Sequence, residues 1–208
     1  MSLEKWNKII EKKLNKVKDD KNFQIIPYVS EDGQTECKDN SKYLLMFKLN
    51  GGHYKDQIHI LTIDLKNGKN EPIDWFPTRP PKVSALTIIF HTNVSPAKNG
   101  WICLDILQDK WSPMNNFDTL VNNIILLLDD PAPSGLHLNG NAAELQQSCQ
   151  KEFNKLSKNI SKSFGKEYDD LYNSCFERFD KMCAEKYKVN KKLIEKYIPL
   201  FSKFNGTD

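Results

Sequence analysis

An α+β fold is the class this sequence predicts. Three observations carry it: an amphipathic helix at the start, four β-rich runs at hairpin distances, and a return to helical periodicity after residue 117. Leu3, Trp6, Ile10, Leu14 and Val17 recur at spacings of three and four, drawing one apolar stripe along a first helix with Ser2 placed to cap it. Lys5, Lys8, Lys12 and Lys16 recur in the same way and fall on the opposite face. Spacing alone favours a solvated surface for this row, with a docking ridge for an acidic partner as the alternative.

The β-rich runs follow. FQIIPYV (23–29) leads into SEDGQ, YLLMFKL (43–49) into NGG, and IHILTIDL (58–65) into KNGKN, while KVSALTIIF (82–90) ends at His91. Successive strands joined by such turn chemistry predict a four-stranded antiparallel meander. Before the last strand, EPIDWFPTRPP carries four prolines, which forbid a regular ladder and impose an extended crossing. An aperiodic loop fills residues 90–114. FDTLVNNIILLLDD (117–130) then reads as a buried helix stopped by Pro131. PAPSGLHLNGN is a loop, and helical spacing resumes from Ala142 (Leu145, Cys149, Phe153, Leu156, Ile160, Phe164). Gly165 interrupts it, a further helix runs to about residue 187, and a last one over 190–204 meets Pro199.

Composition narrows the function. With 39% hydrophobic and 27% charged residues the chain is globular, neither disordered nor fibrous. It holds no apolar run near the roughly 18 residues of a membrane span, and the charged start MSLEKWNKII is no secretory signal, so no membrane partner is expected. The five cysteines (37, 103, 149, 175, 183) form no CxxC pair and no Cys/His set at zinc spacing, so no metal site is expected. An odd cysteine count without a signal peptide suits a reducing compartment, the cytoplasm and/or nucleus. The net charge of +3 is too small to argue for nucleic acid.

Cys103 asks the sharpest question. Cys149, Cys175 and Cys183 occupy apolar helical positions, where a thiol packs as a small hydrophobe. Cys103 instead lies in the long aperiodic stretch, among Trp101, Ile102, Leu104, Ile106, Leu107 and Trp111. Long structureless connections inside a compact domain are usually functional. No Lys, Arg or His lies within three residues to activate the thiol, and no protease signature accompanies it. A cysteine that accepts an acyl group from another thioester needs less activation. It needs positioning and a donor for the oxyanion, which an asparagine amide can supply. From local sequence alone, a structural and a chemical role for Cys103 both stand.

Five motifs in order bear on the choice. FPTRPP (76–81), HTN (91–93), NGWICLDIL (99–107), WSP (111–113) and LLLDDPAP (126–133) resemble the ubiquitin-conjugating enzyme family. They are similar to its Tyr-Pro-x-x-Pro-Pro turn, His-Pro-Asn tripeptide, active-site cysteine segment, tryptophan loop and Pro-x-Pro loop. The resemblance spans residues 1 to about 160. It implies a core domain over 1–164 and a helical C-terminal extension over 165–208, the latter either packed on the core or free to bind a partner. It implies that Cys103 takes ubiquitin or a ubiquitin-like protein from an activating enzyme as a thioester and passes it to an amine, usually a lysine of a protein substrate, with a ligase. Asn93 becomes the amide for loop and oxyanion, and His91 a structural hydrogen-bonding residue. Lys5, Lys8 and Lys12 become the activating-enzyme contact. The chain itself needs no cofactor, since ATP is used by the activating enzyme.

Departures from the family pattern set further expectations. Thr92 replaces the middle proline of the tripeptide, and the path from Asn93 to Cys103 is two residues longer than the common form. Thr78 stands where many members place a ligase-gripping Phe, which implies altered ligase use, although Pro113 and Met114 remain in the second ligase-facing loop. Ser134 and Gly135 occupy the place of an acid that helps deprotonate the incoming lysine, with Asp105 or Asp129/Asp130 as substitutes. The alternative reading is a weak or non-catalytic scaffold of the same fold that binds ubiquitin. An unrelated thiol hydrolase has little support.

Overall fold

A computed structural model of the chain describes residues 2–29, 40–49, 58–66, 75–87, 89–96, 100–129, 138–140, 142–143 and 197–201. Helix α1 spans Leu3–Asn15, and Ser2 caps it by accepting from the Lys5 N–H at 3.3 Å. Glu4 in its first turn and Lys12 and Lys13 in its last suit the helix dipole. Trp6 and Ile10 are the residues the helix buries, with Val17 buried just beyond it. The Trp6 indole also donates to the Phe76 carbonyl at 2.8 Å, so one side chain supplies both apolar burial and a distant tether.

Strands β1 (Phe23–Pro27), β2 (Lys42–Lys48), β3 (Ile58–Asp64) and β4 (Lys82–Ala85) form one antiparallel sheet in sequence order. This is the predicted meander. Ile25 pairs with Leu45, Leu45 with Leu61, and Leu61 with Ala85, so one register carries an apolar row across all four strands. The last strand is shorter than its apolar run suggests. After Ala85 the N–H groups of Leu86 and Thr87 both turn to the Ile60 carbonyl, and the chain leaves the ladder. Ile89 and Phe90 remain buried without strand pairing, so burial rather than pairing accounts for the rest of that run.

The proline-rich crossing contains α2 (Trp75–Thr78), a single helical turn broken by extended Phe76 and a cis Phe76–Pro77 bond. Helix α3 (Phe117–Asp129) buries Phe117, Leu120, Val121, Ile124, Leu127 and Leu128. These residues share one core with Trp6 and Ile10 of α1 and with Tyr43, Leu45, Phe47, Leu61 and Ile63 of the sheet. Phe76 stacks on Phe117 there, with ring centroids 5.8 Å apart.

Five consecutive residues of β2, Tyr43 to Phe47, are buried, which requires cover on both faces of the sheet. The second face is Leu44, Met46 and Ile60, and Tyr197 and Phe201 cover it. The Tyr197 hydroxyl donates to the Val29 carbonyl, and Ile198–Leu200 forms a short 3-10 turn between the two aromatic rings. This part of the C-terminal stretch therefore packs on the core. The helices expected over 144–196, and with them Cys149, Cys175 and Cys183, lie outside the described residues, as does Cys37.

Two expected outcomes follow from this packing. Phe201→Ala empties a fully buried ring site, and urea unfolding is expected to show a loss of about 3–5 kcal/mol. His59 lies buried beside Phe47, at 5.5 Å between ring centroids, and burial pushes its pKa down from 6.5 to about 3. Between those values the unfolded chain binds a proton that the folded chain refuses. Stability should therefore fall as pH drops from about 6.5 toward 3, by up to ~1.4 kcal/mol per pH unit from this group. Urea melts of His59→Leu across that window should show a shallower slope than the parent.

Candidate active site

The site is built on two short backbone pairings. Val94 and Ile102 form an antiparallel bridge, and the Cys103 N–H donates to the Asn93 carbonyl at 2.8 Å. Residues 93 and 103 therefore stand opposite one another, with Cβ atoms roughly 5 Å apart for such a pair. Strand alternation sends Val94 and Ile102 into the core, where both are buried, and turns Asn93 and Cys103 to the other side. Cys103 is a partly exposed free thiol, and Asn93 is buried.

The path between these two residues is tied down on both sides of residues 97–99, which lie outside the described residues. Ser95 N–H donates to the Trp101 carbonyl at 2.8 Å and Ala85 N–H to the Gly100 carbonyl at 2.8 Å, which ties the far side of the turn to β4. Gly100 has φ of 52°, a conformation in which glycine carries no steric penalty.

His91 and Thr92 hold the asparagine side. The His91 Nδ1 accepts from the Asn93 N–H at 3.0 Å, which leaves Nε2 to carry the proton and donate to the Leu127 carbonyl of α3 at 3.0 Å. With both nitrogens engaged and the ring buried, His91 is a bracket between loop and helix. Thr92 is also buried, and its hydroxyl donates to Asn93 Oδ1 at 2.8 Å. Its carbonyl accepts from the Leu138 and Asn139 N–H groups at 2.8 and 3.1 Å, so a second loop rests against the same residue. A proline at 92 has no hydroxyl for Asn93, and in this chain the threonine fixes that carboxamide directly.

On the cysteine side, a 3-10 turn at Asp105–Leu107 returns the chain. The Asp105 carboxylate pairs with Lys110, and this hydrogen bond holds the Lys110 ammonium above its ordinary pKa. Asp105 is thus engaged by a cation of its own turn. Gln108 Nε2 lies 3.5 Å from the Cys103 sulfur as a donor. Asp129 is exposed at the end of α3, while Ser134, Gly135 and Asp130 lie outside the described residues.

A second surface gathers the remaining predicted residues. Thr78, Pro113 and Met114 are exposed, Met114 to 83%. Their two loops are joined by the Trp111 indole, which donates to the Pro77 carbonyl at 2.8 Å. Lys13 binds that pair to α1. Its ammonium donates to the Pro113 and Asn115 carbonyls and to Asn116 Oδ1, at 3.3, 2.6 and 3.2 Å, and lies 5.8 Å from the Phe76 ring centroid. Burial, and next the nearby Lys16, pull its pKa below the usual lysine value, while Asp118 opposes them. Lys5, Lys8 and Lys12 are exposed on α1, Lys8 in an ion pair with Glu4 at 2.7 Å. Sequence reasoning missed Lys13, which looks like one more member of a basic helix, and Gln108, which no spacing rule marks.

Comparison with known proteins points to one family. The family model for ubiquitin-conjugating enzyme matches residues 9–161 of the 208. The chain is 40% identical over 80 residues to Ubiquitin-conjugating enzyme E2 1 of Caenorhabditis elegans, covering 38% of this chain and 40% of that one. It is 35% identical over 97 residues to Ubiquitin-conjugating enzyme E2 2 of Kluyveromyces lactis, covering 46% and 57%. The matched stretch thus spans about half the length of these curated relatives or less. The solved structure of S. cerevisiae Ubc12 is similar, with a TM-score of 0.57 and 25% identity over 71% of this chain and 74% of that chain.

Lys13→Met removes one donor from three acceptors in the 113–116 loop. The expected result is faster amide hydrogen exchange across that loop and a stability loss of about 1–3 kcal/mol in urea.

Proposed function

The chain belongs to the ubiquitin-conjugating enzyme family, and from that premise we propose that Cys103 carries ubiquitin or a ubiquitin-like protein as a thioester. The acyl group arrives from an activating enzyme and leaves to an amine, usually a lysine of a protein substrate, with a ligase holding the parties together. The observation that carries this reading is the pairing of Asn93 directly across from a partly exposed Cys103.

In loading, the Cys103 thiol gives its proton to solvent, the sulfur attacks the carbonyl carbon of the incoming thioester, and a C–S bond forms. The tetrahedral oxyanion collapses, and the activating enzyme's sulfur departs as thiolate. Exchange between two thiols is near balance, so placement matters more than strong activation of the nucleophile. In the later discharge to an amine, the Asn93 carboxamide is the donor for the oxyanion, and its rigid setting between Thr92 and His91 supports that role. His91 shapes the loop and takes no proton, since both ring nitrogens are occupied.

Partners are assigned by surface. Lys5, Lys8 and Lys12 present ammonium groups to the activating enzyme, which consumes the ATP, so this chain uses no cofactor. Thr78, Pro113 and Met114 face the ligase, with Met114 as the apolar contact and no aromatic anchor at 78. This reading sets the reaction in the cytoplasm and/or nucleus, where thiols are kept reduced. Residues 1–164 form the catalytic domain in this reading, with 165–208 as its extension.

Incubated with activating enzyme, ATP and each candidate modifier, the protein is expected to give a reductant-sensitive adduct on a non-reducing gel. Cys103→Ala should remove it, and Cys103→Ser should leave a reductant-resistant oxyester. Asn93→Ala should still load but discharge to lysine roughly a hundred- to a thousand-fold more slowly. If no modifier ever loads the parent protein, the scaffold reading replaces this one.

A further inference from the structure

Gln108 donates from Nε2 to the Cys103 sulfur at 3.5 Å, and we propose that it is a catalytic residue, stabilising negative charge on that sulfur as it attacks and as it leaves. The inference rests on the thioester reading and adds a group acting on sulfur, where Asn93 acts on oxygen.

The turn that presents Gln108 is fixed from several sides. The Leu107 N–H donates to the Leu104 carbonyl at 2.9 Å, and the Gln108 and Lys110 N–H groups donate to the Asp105 carbonyl at 3.0 and 3.2 Å. The Asp105–Lys110 ion pair closes the same turn, and buried Ile106 anchors it to the core. The backbone at 108 is thereby held while its exposed side chain reaches back to position 103.

The chemistry suits a neutral amide. A carboxamide N–H binds a thiol or thioester sulfur weakly and a sulfur anion more strongly, because hydrogen bonds to charged groups are roughly twice as strong. Its contribution is therefore largest where charge develops, which is the condition for accelerating a step. In discharge, the amine nitrogen attacks the thioester carbonyl carbon, a C–N bond forms, and the amine's surplus proton passes to solvent. The intermediate collapses with cleavage of the C–S bond. The electron pair stays on Sγ beside the Gln108 N–H until solvent returns a proton. Having no acid or base of its own in this range, glutamine holds the charge without competing for the proton.

Gln108→Ala and Gln108→Glu test this in the full chain. The glutamate keeps the length of the side chain but carries no N–H and adds a negative charge beside the sulfur. Two rates are read: alkylation of Cys103 by iodoacetamide at fixed pH, followed by mass spectrometry of the peptide without any modifier present, and single-turnover discharge of the loaded protein to free lysine. Both are expected to fall roughly ten-fold in the alanine variant and further in the glutamate variant, with unchanged thermal melting. Parent-like values of either rate in both variants would overturn the assignment. If the parent protein itself never loads, the thioester reading fails, and the alkylation rates still decide whether Gln108 acts on this sulfur.

Discussion

The hydrogen bond from the Cys103 amide to the Asn93 carbonyl sets the register on which the site depends. It places two residues from separate segments opposite each other, and neighbouring Val94 and Ile102 lock that alignment by their burial. Slipping the pairing by one residue would turn the thiol into the core and a valine or isoleucine toward solvent. The penalty for burying polar groups and exposing apolar ones therefore guards the chemistry. His91 and Thr92 extend this control to α3 and to the 138–139 loop, so the asparagine is held from three directions.

A comparable economy joins α1 to the loops around residues 75–81 and 111–116. Three indoles each pair an apolar face with one donated hydrogen bond: Trp6 to Phe76, Trp75 to Pro80 and Trp111 to Pro77. All three acceptors lie in the proline-rich crossing, where prolines leave carbonyls without their own N–H partners along the chain. Lys13 performs the same service for the 113–116 loop from α1. The helix that carries the basic row and the loops that carry Thr78 and Met114 are thus one mechanical unit.

How much of this was legible in the sequence depends on the range of each interaction. Helix α1, helix α3 and the four-stranded order follow from local periodicity and turn residues, and the family from motifs in order. The end of β4 was not legible, because Ile89 and Phe90 are buried outside any strand and hydrophobicity cannot separate the two cases. The tie between Thr92 and Asn93 was not foreseen either, since a threonine hydroxyl finds its partner only once the backbone has turned. Gln108 and Lys13 act across space with partners set by irregular turns, for which no periodic signal exists. The double burial of β2 was hinted at by its unbroken run YLLMF, but what covers the second face lies some 150 residues away, beyond the reach of any spacing rule.

That distant cover has a consequence for how the chain is made. Translation delivers β1–β3 from the ribosome long before Tyr197 and Phe201. During that interval Leu44, Met46 and Ile60 present a bare greasy wall, of the kind that recruits chaperones or sticks to its own neighbours on a polysome. The clasp on the Val29 carbonyl can form only after residue 197 has been made. The packing of the sheet is in this sense completed from a segment far down the chain.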